Sequence, residues 1–410
     1  MSLCSLPRAA GDSIDRVLIF RALMLRVACA RLYALGMILL LSACAAPKFE
    51  DITPGAKPSL HTPEAGLWLQ MDKAERSLRS SGAILDDPEL TGYLEDIVCR
   101  LSPAYCSDVR VYIFDIPEFN ASMAPNGMMS VWTGLLLRVE NEAQLATVLA
   151  HELGHYIRRH SLSRWISTKR TLDLTAFLQV GTAIAGYGIG GDAMGLMAVG
   201  HIMAYGREQE READDYGLGL MIDAGYAASE AAVVWENLIA EREAADKKDV
   251  PIFFASHPPS EERMNTLRRQ ASFAEVDAAE KGESSFADIL LKHRLGWLQD
   301  DIQLRRFKRS RILLDRIAAG GADQGIMDYL NGEFYRLRGG PGDLELAREH
   351  YARCIDLVNV PVDMYRSLGL IHWSLGEHAQ AYASLETYLE KSDSPTDYAM
   401  IKSYMKELSP

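Results

Sequence analysis

Residues 150–161 read AHELGHYIRRHS, which places His151 and His155 four positions apart with Glu152 directly after the first histidine. Apolar residues recur at helical spacing across 141–160, and this predicts a helix. Positions i and i+4 lie on one face of a helix about one turn apart, so both imidazoles can bind one ion. Glu152 points about 100° away, where its carboxylate can act as a general base on water. The stretch therefore predicts a catalytic zinc site.

The alternative for this stretch is a surface helix that contains two histidines by chance. The neighbouring Val148, Leu149 and Leu153 are apolar and would bury the helix. Buried histidines without a metal need other hydrogen-bond partners, so these neighbours favour the zinc site. A further histidine, His160, is predicted to lie beyond the reach of the pair and is not included among the ligands.

A catalytic zinc ion needs a third protein ligand, and residues 205–221 (YGREQEREADDYGLGLM) offer three glutamates. On a helix, Glu210 shares one face with small residues that permit the close approach of a second helix. Glu208 and Glu212 lie on another face and are predicted to be exposed, so Glu210 is the predicted ligand. Asp214, one turn later, can accept the outer N–H of a ligand histidine, or it can be a helix-surface carboxylate.

Four ordered motifs resemble those of the gluzincin metalloproteases, a group that includes HtpX and the CAAX prenyl proteases. HELGH is followed by ExxAD at 210–214. Residues 120–136 (NASMAPNGMMSVWTGLL) resemble the family's Asn-Ala, Pro-x-Gly turn, strand and Gly-Leu-Leu, and residues 256–264 (SHPPSEERM) resemble its His-Pro segment that ends in Arg. The resemblance covers roughly residues 67–270, about half of the chain.

The resemblance implies that His151, His155 and Glu210 bind one zinc ion per chain and that Glu152 is the catalytic base. His257 has three possible roles. It can stabilise the oxyanion, it can occupy the fourth position on zinc and hold the enzyme idle, or it can be a loop histidine without a metal role.

The resemblance also concerns the edge of the cleft. Asn120, Pro125 and Gly127 would shape a strand there, and an exposed strand edge can hold an extended polypeptide by backbone pairing. Arg263 is expected to have a structural role or to clamp a carboxylate.

The N-terminus has the pattern of an export signal. Residues 24–44 contain two arginines, then an apolar run, then small residues that end in Leu-Ser-Ala-Cys. This ending resembles the lipobox of bacterial lipoproteins, in which the cysteine (Cys44 here) carries the lipid. We therefore expect a signal peptide over 1–43, with Met24 as an alternative start of translation, and a lipidated tether over 44–66. The alternative is an ordinary signal peptide or a short membrane anchor.

Export makes disulfides possible. Cys99 and Cys106 flank a Pro-containing turn just before a predicted strand at 109–114, and a short-loop disulfide is the favoured interpretation over two buried thiols. The apolar stretch 172–205 is long enough to cross a bilayer, but its glycines and Asp192 favour two short helices packed over the protease.

The last third of the chain contains a weak repeat. Residues 329–357 and 365–391 share small and large apolar residues at matching positions, at a period typical of tetratricopeptide (TPR) repeats. The matching pairs are Gly332 and Gly369, Ala347 and Ala381, and Tyr351 and Leu385. Gly296 indicates a degenerate earlier copy, and a helix near 395–408 would cap the stack. The alternative is a plain helical domain.

Together these patterns predict a mainly helical α+β fold, in which a metalloprotease domain (67–275) with a small edge sheet precedes an all-α TPR-like solenoid (285–410). The formal charge of −13 argues against nucleic-acid binding. The combination resembles the beta-barrel-assembly-enhancing proteases. It implies a zinc endopeptidase that acts on unfolded envelope proteins, with a protein partner at the repeat surface. The chain departs from that group by its lipobox-like ending, and the resemblance to lipoproteins, with Ala45 after Cys44, implies an anchor on the periplasmic side of the outer membrane. The alternatives are a non-proteolytic chaperone or scaffold and an integral membrane protease.

Overall fold

The computed structural model describes residues 49–169, 205–245, 252–258, 261–274, 280–355, 357 and 360–408. The predicted signal peptide, Cys44 and residues 172–204 lie outside the described residues. Within the described part, the chain is mainly helical with one three-stranded sheet, which confirms the predicted fold class. None of the described helices is long and apolar enough to cross a bilayer.

The described chain up to residue 169 contains five α-helices, one 3-10 helix and all three strands. In order, they are α1 (Pro63–Arg79), α2 (Pro88–Leu101), a 3-10 helix (Pro103–Asp108), β1 (Arg110–Phe114), β2 (Ala121–Met123), β3 (Met128–Trp132), α3 (Thr133–Arg138), α4 (Glu142–Ile157) and α5 (His160–Lys169). Side-chain caps fix where the helices begin. Thr62, Asp87 and Asn141 each accept a hydrogen bond from a backbone N–H in the first turn of α1, α2 and α4, respectively.

The sheet has the order β1-β3-β2, with β3 parallel to β1 and antiparallel to β2. Gly127, in the turn between β2 and β3, has φ +86°, and a Cβ there would lie 2.0 Å from the carbonyl oxygen of Asp108. Only glycine fits this turn. The turn leaves β2 at the edge of the sheet beside α4.

The second half is helical. Its helices are α6 (Arg207–Asp223), α7 (Glu230–Ala244), α8 (Phe253–Ser256), α9 (Glu261–Phe273), α10 (Glu283–Gln303), α11 (Phe307–Ala319), α12 (Gln324–Arg338), α13 (Asp343–Cys354), α14 (Asp363–Ser374), α15 (His378–Lys391) and α16 (Tyr398–Leu408). Small residues mark the contacts between paired helices. A Cβ at Gly332 would lie 2.4 Å from the Tyr351 ring, and one at Gly369 would lie 2.7 Å from Leu385.

The structure differs from the sequence prediction at two places in this architecture. A Cβ at Gly296 would meet none of the described atoms within 4 Å, so this glycine does not mark a helix contact as Gly332 does. Residues 49–66 are not a free tether. Ile52 is buried, its N–H donates to the carbonyl oxygen of Ile157 (3.0 Å), and its own carbonyl oxygen accepts from the Tyr105 hydroxyl (2.6 Å). These hydrogen bonds and the buried side chain fix the segment to the protein surface.

A disulfide joins Cys99, near the end of α2, to Cys106 in the 3-10 helix. It closes a short loop directly before β1. Cys354, at the end of α13, is a buried free thiol.

Candidate metal centre

Two helices, α4 and α6, cross at close range because glycines lie at the contact. A Cβ at Gly154 would lie 3.0 Å from the Ala213 carbonyl oxygen, and a Cβ at Gly217 would lie 3.0 Å from the backbone of Ala150. The apolar side chains of α4 bury it on all sides. The close crossing brings Glu210, in the first turn of α6, over the face of α4 that carries the histidines.

Four side chains direct a donor atom toward one point. They are His151, His155, Glu210 and His257, and one ligand atom from each lies within 4.8 Å of all the others. The Nε2 atom of His151 is 3.1 Å from Nε2 of His155 and 3.2 Å from Nδ1 of His257. The Oε1 atom of Glu210 is 3.0 Å from the same Nδ1 and 3.4 Å from Nε2 of His155.

These spacings fit a tetrahedral metal ion. Ligand atoms about 2.0–2.1 Å from zinc lie about 3.3–3.4 Å apart, close to the separations between these donors. The chemistry of the cluster fits as well. Burial lowers the pKa of His155 well below its ordinary value, which leaves a neutral imidazole. Burial would by itself raise the pKa of Glu210, but the neighbouring histidines hold it well below its ordinary value. An ionised carboxylate buried beside the neutral imidazole of His155 favours a bound cation.

Asp214 and Arg263 surround the cluster on the α6 side. The Oδ1 atom of Asp214 is 3.0 Å from Nδ1 of His151, the nitrogen that faces away from the other donors. Arg263 donates to both oxygens of Asp214 (2.6 and 2.8 Å), and its Nη1 lies 2.6 Å from Oε2 of Glu210. Arg263 therefore clamps two carboxylates, one of the two roles expected for it.

Glu152 lies beside the four donors and is buried. Burial, with the nearby negative charge of Glu210, raises the pKa of Glu152 to about 8. The backbone N–H of Met123 in β2 donates to its carboxylate, and its Oε1 is 3.4 Å from Nε2 of His257. A carboxylate that gains a proton near neutral pH is suited to general base catalysis.

The strand beside Glu152 is the predicted edge strand. The carbonyl oxygen of Asn120 accepts from the N–H of Trp132, which starts the pairing of β2 with β3. Pro125 and Gly127 lie in the turn that ends it. The edge of β2 that does not pair with β3 faces Glu152.

His257 follows α8 and stacks on Phe253, with ring centroids 4.3 Å apart. Its Nδ1 lies among the donors of the cluster and its Nε2 points to Glu152. Of the three roles considered for His257, this geometry favours the fourth position of the cluster.

His160 corrects the sequence-based prediction. It was expected beyond the reach of the histidine pair, but its Nδ1 is 2.8 Å from Nδ1 of His155. The prediction assumed one helix over 141–160, whereas α4 ends at Ile157 and Arg159 adopts a left-handed φ of +56°. The chain turns there, so His160 begins a new helix and points back.

Glu212 is a second correction. Its side chain, predicted to be exposed, is only 23% exposed, and its Oε2 lies 3.2 Å from Nε2 of His160. Arg158 donates to its other oxygen at 2.9 Å. Glu208, on the same helix face, is exposed as predicted.

Tyr205 is a site residue that the sequence analysis missed. Its ring stacks on His155 at a centroid distance of 3.8 Å, and its hydroxyl is 2.9 Å from Oγ of Ser161. The stacking covers the face of the His155 imidazole. An isolated tyrosine at the start of 205–221 gives no sequence signal for this contact.

Comparisons with known proteins point in the same direction as the geometry. Residues 86–271 match peptidase family M48. A putative beta-barrel assembly-enhancing protease of Vibrio cholerae is 26% identical over 60% of this chain and 52% of its own length. The mitochondrial metalloendopeptidase OMA1 of Schizosaccharomyces pombe is 31% identical over 42% of this chain and 49% of its own. The metalloprotease YcaL of Escherichia coli is 29% identical over 39% and 61%, respectively.

The chain thus spans about half the length of the first two of these relatives. The region 86–271 that matches the family contains α4 and α6, the two helices that carry His151, His155 and Glu210. The match and the geometry of the cluster together show that residues 86–271 of this chain are a peptidase family M48 domain.

Proposed function

We propose that this protein is a zinc-dependent endopeptidase. The observation that carries the proposal is the buried cluster in which two imidazoles and an ionised carboxylate face one point, with Glu152 beside them. Catalytic zinc sites use three such protein ligands. His151, His155 and Glu210 would hold the ion. When bound, zinc supplies a Lewis acid that polarises the scissile carbonyl group and acidifies water.

The residues of the chain perform the remaining steps. Glu152 accepts a proton from the water that attacks the scissile carbonyl carbon, and it delivers the proton to the leaving nitrogen. Because the pKa of Glu152 is raised, its protonated form is accessible near neutral pH. The edge of β2 beside Glu152 holds an extended substrate by backbone hydrogen bonds, which favours unfolded segments.

His257 gives the site a latent arrangement. Its Nδ1 takes the fourth place in the cluster, where water and substrate have to bind. We therefore expect His257→Ala to bind zinc more weakly, and to cleave an unstructured substrate faster when zinc is saturating. A complete loss of cleavage at saturating zinc would instead assign His257 to oxyanion stabilisation.

The envelope role rests on the relatives and on the N-terminal pattern. All three relatives carry names that refer to protease or peptidase activity, and one of these names refers to the assembly of beta-barrels. The export signal and Cys44 suggest a lipoprotein on the periplasmic side of the outer membrane. The paired helices after residue 283 are suited to form a TPR-like solenoid for a protein partner. We propose unfolded or misassembled envelope proteins as substrates.

The test is cleavage of casein by the full chain, with zinc content measured in parallel. We expect a chelator to abolish cleavage and zinc to restore it. Glu152→Gln should retain zinc and lose cleavage by at least about 100-fold, because the base contributes on the order of 10²–10⁴ to the rate. Cleavage by zinc-loaded Glu152→Gln at the original rate would contradict this mechanism.

The same assay tests the chaperone or scaffold alternative. A chaperone or scaffold that uses metal structurally predicts zinc binding without cleavage in any variant.

The integral membrane alternative is tested by a separate experiment, in which membranes that contain Cys44→Ala are extracted at high salt and alkaline pH. Release would exclude a membrane-spanning segment, whereas retention would contradict attachment by lipid alone.

A further inference from the structure

The two histidines of α4 each have an outer ring nitrogen, Nδ1, that faces away from the donor cluster. For His151, this nitrogen meets a carboxylate directly, Oδ1 of Asp214 at 3.0 Å. For His155, it meets Nδ1 of His160 at 2.8 Å. The second contact is unusual because a histidine stands where a carboxylate or carbonyl group commonly stands.

The hydrogen positions in this contact follow from the hydrogen-bond network. The Nε2 atom of His155 points inward, 3.1 Å from Nε2 of His151 and 3.4 Å from Oε1 of Glu210. A nitrogen that binds a metal presents a lone pair, so the hydrogen of His155 lies on Nδ1. It is donated to Nδ1 of His160, and His160 carries its own hydrogen on Nε2.

Nε2 of His160 then has an acceptor. Oε2 of Glu212 is 3.2 Å away, and Glu212 lies on α6, two residues after Glu210. His160 is buried, with only 3% of its surface exposed. Glu212 is itself held by Nε of Arg158 at 2.9 Å, and Arg158 also donates to Asp51 at 2.8 Å.

We propose that His160 and Glu212 are positioning residues that hold His155 in the tautomer and orientation of a metal ligand. The proposal rests on the proposed zinc site. Each α4 histidine is then connected by hydrogen bonds to a carboxylate of α6. His151 contacts Asp214 directly, whereas His155 contacts His160, which in turn contacts Glu212. The His160 ring bridges the distance between His155 and the Glu212 carboxylate. Neither His160 nor Glu212 touches the reacting atoms, so their effect passes through His155.

The test measures the zinc affinity of the full chain by competition with a chromophoric chelator. Loss of an outer partner of a ligand histidine lowers metal affinity about 10- to 100-fold, and we expect this from His160→Ala. Glu212→Gln should lower affinity less, by about tenfold or below, because its amide can still accept from His160. The matched control is Glu208→Gln on the same face of α6, which is 72% exposed and pairs with Arg211. Its affinity should stay within about twofold of the original.

Because the two residues act in series, the double variant His160→Ala/Glu212→Gln should bind zinc about as weakly as His160→Ala alone. Substitution of zinc by cobalt provides a second measurement, which would not change if His160 and Glu212 had a purely structural role. The visible d–d spectrum should change in both single variants and stay the same in Glu208→Gln. Thermal unfolding of the metal-free proteins shows whether each variant is folded, and Glu212→Gln carries the test if His160→Ala is not.

Unchanged zinc affinity in folded His160→Ala, or additive losses in the double variant, would overturn the proposal. These results are distinct from a failure of the proposed function. A protein that binds zinc and loses affinity in these variants, but cleaves no casein, supports the positioning role and contradicts the protease. A protease with the original zinc affinity in both variants contradicts the positioning role alone.

Discussion

Asp87 is the N-cap residue of α2, and its carboxylate makes three favourable contacts. It caps the N–H of Leu90 at 3.1 Å and lies 3.0 Å from Nζ of Lys292 and 2.6 Å from Nε2 of His293, both in α10. Partial burial would by itself raise the pKa of this carboxyl group, but the Leu90 amide, Lys292 and His293 lower it to about 2, from an ordinary value of 3.8.

A depressed folded-state pKa stabilises the protein above the unfolded-state value, and the stabilisation is lost as the pH falls through the folded-state value. We expect Asp87→Asn, which keeps the cap, to lower the free energy of unfolding by about 1–2 kcal/mol at pH 6. The difference from the unmodified protein should shrink between pH 4 and about pH 2. Urea unfolding of the metal-free proteins across this range measures it. The exposed neighbour Asp86 supplies the control, and an equal loss in Asp86→Asn would show that general charge, not this cluster, is responsible.

At the scale of elements, the crossing of α4 and α6 depends on glycine. A Cβ at Gly217 would press on the backbone of Ala150 and His151 at 3.0 Å, and backbone atoms cannot rotate away as a side chain can. We expect Gly217→Val to cost about 1–3 kcal/mol of stability. It should also weaken zinc binding, because α6 carries Glu210 and would move away from the histidines.

Gly219 is the matched control for this change. It lies on the same helix, and a Cβ there would meet none of the described atoms within 4 Å. Gly219→Val should therefore leave stability within about 0.5 kcal/mol and zinc affinity unchanged. Denaturant unfolding and chelator competition measure the two effects. Equal behaviour of the two variants would mean that the crossing tolerates a side chain and that Glu210 does not depend on it.

Helical periodicity was sufficient to predict which elements carry the site, but not where one of them ends. The predicted helix at 141–160 exists as α4 up to Ile157, and the predicted helix at 205–221 exists as α6. The face shared by Glu210 and Gly217 follows from spacing alone, because it depends on residues within one helix. The contact of His160 with His155 depends on the left-handed residue Arg159, and nothing in the composition of the stretch requires a break there.

At the scale of the whole molecule, buried ions connect the helices after residue 280 to the M48 domain. Arg138 of α3 donates to Glu241 of α7 at 2.7 Å and to Asp301 of α10, and all three side chains are less than 5% exposed. Arg316 of α11 joins the network through Glu241 at 3.1 Å. The domain boundary predicted between 275 and 285 stays a prediction, but the two sides of it share this network and should unfold together.

Arg138→Met tests this coupling. Methionine fills much of the arginine volume, but it leaves the Glu241 and Asp301 carboxylates in a dry interior with fewer partners. Breaking a buried ion pair from one side costs about 3–5 kcal/mol, and we expect a loss of that size in denaturant unfolding. Arg268→Met, which removes an arginine paired with Glu236 at the surface, should cost less than about 1 kcal/mol. Tryptophan fluorescence and circular dichroism should report one transition that shifts as a whole in Arg138→Met. Two separated transitions in the unmodified protein would contradict the coupling, because the helical region would then unfold independently of the domain that carries the metal centre.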